Sequence, residues 1–186
     1  MTPTRRRVSL ALSAAALLAA LAAGCPLPQP LAEVARIDGG TISPPRIVAE
    51  SAVPTDTIIF VSKGCSTALF SLGVEVEDVD TTEAVAARWF VDFRPDVMQV
   101  PLEQPVPAAD DPTNPIRVVQ PYAFQALPTS TTAPLHVVEV VISNAFQPIS
   151  TTSSQQNRSA QPGFETAVYR WVFQYVDATD PRGRCS

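Results

Sequence analysis

Positive charge is scarce in this chain, and almost all of it is carried by arginine. The 186 residues include 13 basic and 18 acidic residues, one histidine, His136, and a single lysine, Lys63. Proteins that bind nucleic acids need a basic surface for the phosphate backbone, and anionic lipid headgroups repel an acidic surface. We therefore expect no nucleic-acid partner and no membrane contact that depends on surface charge.

Long amphipathic helices are missing as well. The chain contains 19 prolines, and a proline inside a helix removes a backbone donor and clashes with the preceding turn. After Cys25, no helix-length window repeats its apolar positions every 3.6 residues. The pattern favours short strands joined by loops.

Residues for the common catalytic and zinc sites are also few. Zinc takes three or four ligands, whereas the chain has one histidine and three cysteines without C-x-x-C spacing. No G-x-S-x-G nucleophile motif is present. We interpret His136 as a strand residue that is hydrogen-bonded at the end of a sheet. We predict no enzymatic activity and no cofactor, and a hydrolase or free catalytic thiols are the alternatives.

The first 25 residues have the composition of a secretory signal. Arg5, Arg6 and Arg7 precede an uncharged apolar run over residues 8–23, which ends in small residues. This run of 16 residues is shorter than the roughly 20 that cross a membrane. A lipoprotein signal, a plain secretory signal and an uncleaved anchor are the three alternatives.

The end of this run, Leu21-Ala22-Ala23-Gly24-Cys25, resembles the lipobox of bacterial lipoproteins, with Ala22 where leucine is commonest. The resemblance implies that residues 1–24 are removed and that Cys25 carries a lipid that anchors the protein to a membrane. Because Pro26 rather than aspartate follows the cysteine, it also implies the outer membrane of the cell envelope. Loss of the three signal arginines would change the formal net charge from −5 to −8.

Residues after the cysteine divide into a tether and a body. The segment Pro26-Leu27-Pro28-Gln29-Pro30 is typical of an extended polyproline-II spacer. We predict a signal peptide over 1–24, a lipidated cysteine with a flexible tether over 25–43, and one folded domain over 44–186.

Apolar residues that alternate with period two predict strands at 68–76, 87–93, 135–144 and 167–175. The third is apolar on both faces, which is typical of a central strand. Weaker strands are predicted at 46–49, 57–62, 97–102 and 116–125, and long loops at 105–115 and 147–164. Short strands at this spacing predict an all-β fold, a single antiparallel two-sheet sandwich.

Two of these strands resemble a known family. The segment Arg88-Trp89-Phe90-Val91-Asp92, followed by His136-Val137-Val138-Glu139-Val140-Val141-Ile142-Ser143-Asn144, is similar to PKD-type and related immunoglobulin-like extracellular domains. The segment Pro44-Pro45-Arg46-Ile47-Val48 resembles their first strand, whereas Phe93 stands where the family has glycine. The resemblance implies an immunoglobulin-like sandwich and carries no function with it.

Cys65 and Cys185 are the cysteines that remain besides Cys25. In an oxidising compartment two such cysteines pair most simply with each other. We predict a disulfide that holds the C-terminal tail against the body, worth about 4–5 kcal/mol in the chain-entropy model.

Two further features leave alternatives open. Asp78 and Asp80 follow the acidic end of the strand 68–76 and are the candidate calcium ligands, because calcium prefers carboxylate oxygens. No EF-hand spacing is present, so the adopted prediction is a solvated strand end without metal. Phe90 faces away from Trp89, and it either marks an exposed contact surface or is covered by a neighbouring loop.

Together these features predict a non-enzymatic, membrane-anchored envelope lipoprotein. It would act as a structural or interaction module for other envelope proteins, for example as an accessory subunit of an envelope complex. A calcium- or ligand-binding adhesion-type extracellular module is the alternative from another class.

Overall fold

Nine strands and one short helix form in the described part of the chain, residues 43–126 and 135–186 of a computed structural model. In chain order they are β1 (Arg46–Val53), β2 (Ile58–Ser62), β3 (Leu69–Glu77), β4 (Val85–Val91), β5 (Leu102–Val106), β6 (Ile116–Val118), β7 (Tyr122–Gln125), β8 (Leu135–Ser143), α1 (Ser154–Arg158) and β9 (Ala167–Val176). The four segments with the clearest alternation are β3, β4, β8 and β9, so those predictions are confirmed.

The strands form two mostly antiparallel sheets. One sheet has the order β1-β3-β6, with β7 also paired to β3, and the other has the order β2-β9-β8-β4-β5. β8 lies between β9 and β4, which confirms the central position that its two apolar faces predicted. Buried residues of both sheets form one core, and the fold is a β-sandwich.

Aromatic rings fill the middle of this core. Trp89 of β4 stacks on Tyr122 at 5.1 Å and on Trp171 at 6.0 Å between ring centres. Phe173 packs against Phe70 at 5.1 Å and against Phe124 at 4.6 Å. Because the rings come from both sheets, their contacts fix the face of each strand that turns inward.

The pairing is not wholly antiparallel, and this corrects the sequence expectation. β2 pairs in parallel with β9, from Ile58 opposite Val172 to Ser62 opposite Val176. The two strands lie far apart in sequence, and residues 54–57 carry the chain from β1 in one sheet to β2 in the other. No hairpin therefore imposes an antiparallel direction on this pair.

Two of the weaker strands were placed incorrectly. The strand predicted at 97–102 begins only at Leu102, opposite Trp89, and runs to Val106, inside the loop predicted at 105–115. Pro101, which lacks a backbone donor, directly precedes it. The strand predicted at 116–125 is divided into β6 and β7 around Pro121, and both parts pair with β3.

The loop predicted at 147–164 contains helix α1. Its N-cap is Ser153, whose Oγ accepts a hydrogen bond from the backbone N of Gln156 at 3.2 Å. With only five residues, the helix is too short for an apolar period to reveal it in the sequence.

Candidate functional site

A long loop covers part of the outer face of the five-stranded sheet. This covering loop, residues 144–166, connects β8 to β9. Arg88 of β4 is 3% exposed, and it donates from Nη1 to the carbonyl of Asn157 at 2.7 Å and from Nη2 to the carbonyl of Gln147 at 2.9 Å. Its guanidinium carbon lies 4.3 Å from the centre of the Phe146 ring. Arg88 therefore fastens the covering loop to the sheet.

Helix α1 is fastened a second time by buried polar side chains. Asn157 is fully buried, and its Nδ2 donates to the carbonyls of Gln99 at 2.8 Å and Ser150 at 3.0 Å. Oγ of Ser154 accepts from the backbone N of Gln99 at 2.6 Å. These bonds hold the helix in one place, and with it Arg158 at its C-terminal end.

The covering loop also explains Phe90. Phe90, Val141 and Phe146 form a second buried cluster, against which Phe93 packs. Of the two interpretations of Phe90, the structure confirms coverage by a neighbouring loop, so this ring is not an exposed contact surface.

Beside the covering loop, an open pocket of about 380 Å³ lies on the outer face of the sheet. Glu139 of β8, 3% exposed, accepts from Arg158 Nε at 2.6 Å and from Arg170 Nε at 2.9 Å. The Arg158 guanidinium carbon also lies 5.1 Å from the centre of the Phe93 ring. One buried carboxylate thus holds two guanidinium groups in place. The lining residues are Asp92, Phe93, Arg94, Val137, Glu139, Arg158 and Arg170.

The chemistry of the pocket follows from these residues. None of the seven carries a hydroxyl, thiol or amine nucleophile. Three are arginines, whose planar N–H groups suit carboxylate or phosphate oxygens of another molecule. The lining also includes the carboxylates of Asp92 and Glu139, so three arginines and two acids give the pocket a formal charge of +1 in a chain whose overall charge is negative.

The two segments of the family resemblance meet at the rim of this pocket. Asp92 has the left-handed φ of 51°, its backbone N donates to the carbonyl of Val137 at 2.7 Å, and its Oδ1 accepts from the backbone N of Val137 at 2.8 Å. Its Oδ2 lies 2.5 Å from Nδ1 of His136. The prediction that His136 is hydrogen-bonded at a sheet end is confirmed, and the pair ties the end of β4 to the start of β8.

Asp78 and Asp80, the candidate calcium ligands, both have protein partners, and the prediction of a solvated strand end is wrong for Asp78. Asp78 is fully buried and forms an ion pair with Nη2 of Arg117 at 3.0 Å. Burial raises the pKa of Asp78 above its ordinary value, although Arg117 opposes the shift. Oδ1 of Asp80 accepts from the Thr82 hydroxyl at 2.6 Å, and this bond lowers the pKa of Asp80. In the ranges 43–126 and 135–186, no three histidine, cysteine, aspartate or glutamate side chains converge as metal ligands.

The predicted disulfide is confirmed. Cys65 and Cys185 are bonded, with Cα atoms 5.6 Å apart and 120 residues between them in sequence. The bond holds the last residues of the chain against the body, beside β2. Cys25, the predicted lipid site, lies outside the described residues, so its acylation stays a prediction.

No protein-family model and no curated protein matches the chain. Within the described residues, none of the helical structure is long and apolar enough to cross a bilayer.

The residues that build the pocket are not apparent from the sequence. Arg158 and Arg170 are separated from Glu139 by 19 and 31 residues, and nothing local in the sequence connects them. One signal was present, since Glu139 is a single acid in the apolar run of β8. A charge at the centre of such a strand requires a buried partner, and that requirement points to arginine.

Proposed function

We propose that this protein is a lipid-anchored module of the cell envelope that works by contact and catalyses no reaction. The contact part of the proposal rests on the pocket around Glu139, where Arg158 and Arg170 are fixed in place and no lining residue carries a hydroxyl, thiol or amine nucleophile. The anchor part rests on the signal-like first 25 residues and Cys25. The partner would be another envelope protein that presents a carboxylate or phosphate group to this face.

We further infer that the sandwich is immunoglobulin-like. The order β2-β9-β8-β4-β5 agrees with an immunoglobulin sheet, in which the last strand pairs with the strand before it and that strand pairs with the Trp-bearing strand. Trp89 lies in the core on that strand, β4. The disulfide differs from the family bridge between the sheets, because Cys65 precedes β3 and Cys185 follows β9.

Mass spectrometry of the protein purified from its own host tests the anchor. We expect a chain that begins at Cys25 and carries the added mass of acyl chains. Cys25→Ser should abolish that mass and release the protein from the membrane fraction, while Cys65→Ser serves as the control that leaves the lipid in place. A chain that retains Met1 and bears no fatty acid would contradict the proposal.

Site-specific photo-crosslinking in intact cells tests the contact surface. A photoreactive residue in place of Arg94, one of the lining residues, leaves Arg158 and Arg170 in the pocket and should give discrete crosslinked products. The same residue at position 46, which is exposed on β1 of the opposite sheet, is the matched control. Arg170→Glu should suppress the products at 94. Equal products at both positions, or none at 94, would count against this face.

A further inference from the structure

The outer edge of β2 has the properties of an edge strand that can pair with another strand. β2 is the last strand of its sheet, and its sequence, Ile-Ile-Phe-Val-Ser, contains no charge, proline or glycine. Thr57 and Lys63 bond to β9 through their backbones, so by alternation Ile58, Phe60 and Ser62 turn their backbone groups to the free edge. An uncharged, β-branched edge of this kind is a template for pairing with another chain.

The C-terminal tail, residues 180–185, lies on that edge. The backbone N of Arg184 donates to the carbonyl of Phe60 at 2.9 Å, and the backbone N of Ser62 donates to the carbonyl of Arg184 at 3.3 Å. The guanidinium of Arg182 covers the Phe60 ring at 4.4 Å. A Cβ at Gly183 would lie 2.9 Å from Cβ of Ser62, so the tail reaches the strand because this residue is glycine.

We propose that the tail is a redox-controlled cover, and that the edge beneath it pairs with the same edge of a second copy of this chain. The reductant is a dithiol: the Cys65–Cys185 bond breaks, each sulfur takes up one electron and one proton, and the dithiol becomes a disulfide. Cys185 is exposed, so the bond is reachable from solvent. The tail then detaches from Phe60 and Ser62. This inference does not depend on the proposed function.

Charge favours a second copy as the occupant. Asp56 and Lys63 flank β2 at its two ends, and antiparallel pairing about a two-fold axis brings Asp56 of each copy near Lys63 of the other. With the tail in place, Asp56 is engaged by Nη2 of Arg184 at 3.2 Å. Release of the tail therefore frees both the edge and Asp56. Lys63 is held by Asp177 at 3.0 Å in an exposed ion pair, which contributes little and can be exchanged for Asp56 of the second copy.

Sedimentation velocity in density-matched detergent, together with hydrogen exchange, tests the proposal on the full-length protein with and without dithiothreitol. We expect a monomer that becomes a dimer on reduction, in which the Ser62 amide stays protected because it now bonds to the β2 edge of the second copy. Ile58→Lys, at a position 50% exposed on β2, should keep the reduced protein monomeric. Its Ser62 amide is then covered by neither the tail nor a second copy, and it should exchange about tenfold faster or more than in the oxidised protein. Leu69→Lys, at a position 58% exposed on the other sheet, is the matched control and should leave the dimer intact.

A second variant pair tests the cover with the disulfide intact. Gly183→Ala should raise exchange at Ser62, whereas Gly73→Ala should not, because a Cβ at Gly73 meets no atom within 4 Å. A reduced protein that stays monomeric overturns the proposal, and so does a reduced Ile58→Lys monomer that still protects Ser62. Dimerisation that survives Ile58→Lys does so too. Loss of the near-ultraviolet circular dichroism of the buried tryptophans on reduction would also overturn the proposal, because the sandwich has to stay folded after the disulfide is broken.

Discussion

Replacing Arg88 with methionine should detach the covering loop and lower the free energy of unfolding. The side chain donates to the carbonyls of Asn157 and Gln147 at 2.7 and 2.9 Å, and Nε donates to Glu103 at 2.6 Å. Methionine keeps much of the apolar contact with Phe146 and removes all three bonds. Both carbonyls would then have to find another donor or remain unsatisfied under the loop.

The magnitude follows from the burial of these acceptors. A hydrogen bond from a charged donor contributes about 1.5–3 kcal/mol, and a buried acceptor without a donor is costly. Two such bonds together give about 3–6 kcal/mol. Glu103 is 41% exposed, so water replaces Arg88 there and the exposed end of the pair adds less than about 1 kcal/mol.

Urea unfolding followed by tryptophan fluorescence measures this loss. Glu103→Gln and Arg170→Gln, which alter half-exposed side chains, are the controls and should each cost less than about 1 kcal/mol. Limited proteolysis adds a local measurement, since a detached covering loop should be cut between residues 148 and 153. If Arg88→Met destabilises the protein no more than Glu103→Gln, the loop is not held as described.

Three further outcomes test the buried ion pair and the tail. Arg117→Met should cost about 3–5 kcal/mol in urea because Asp78 stays buried without its cation, and adding Asp78→Leu should restore most of it; no restoration would contradict the burial argument. Arg182 lowers the pKa of Asp180 from 3.8 to about 2, so the stability it contributes is present above pH 3.8 and lost as the pH falls toward 2. Exchange of tail amides should rise across that range, and an equal rise in Asp180→Asn would refute the assignment. Serines at Cys65 and Cys185 should lower the free energy of unfolding by about 4–5 kcal/mol and leave the circular dichroism of the folded state unchanged.

Strand identity was predictable where alternation is local. Four buried residues of β3, Phe70, Leu72, Val74 and Val76, lie two positions apart, and a period of two places them on one face whatever their partners are. The weaker strands were harder to place, because the residue at which each begins to pair depends on the neighbouring strand and not on the prolines alone. The strand predicted at 97–102 failed for this reason, since pairing with β4 begins at Leu102.

The candidate site was less predictable than the fold. Arg88, Glu139, Arg158 and Arg170 are assembled from β4, β8, the covering loop and β9. In a strand with period-two alternation, a charged residue between apolar ones is normally expected to face solvent, and Arg88 is such a residue. Its burial depends on a loop whose course over the sheet is not encoded near Arg88 in the chain.

The amino-acid order by itself determined the class of the fold, the inward faces of its main strands and the pairing of Cys65 with Cys185. Those properties follow from period-two alternation, from frequent proline and from the presence of just two cysteines beyond residue 25. Tertiary structure alone decided the parallel placement of β2, the burial of Arg88 and the position of the tail on an open strand edge. Each of these depends on contacts between segments far apart in sequence, and a local sequence pattern does not show which distant segments will meet.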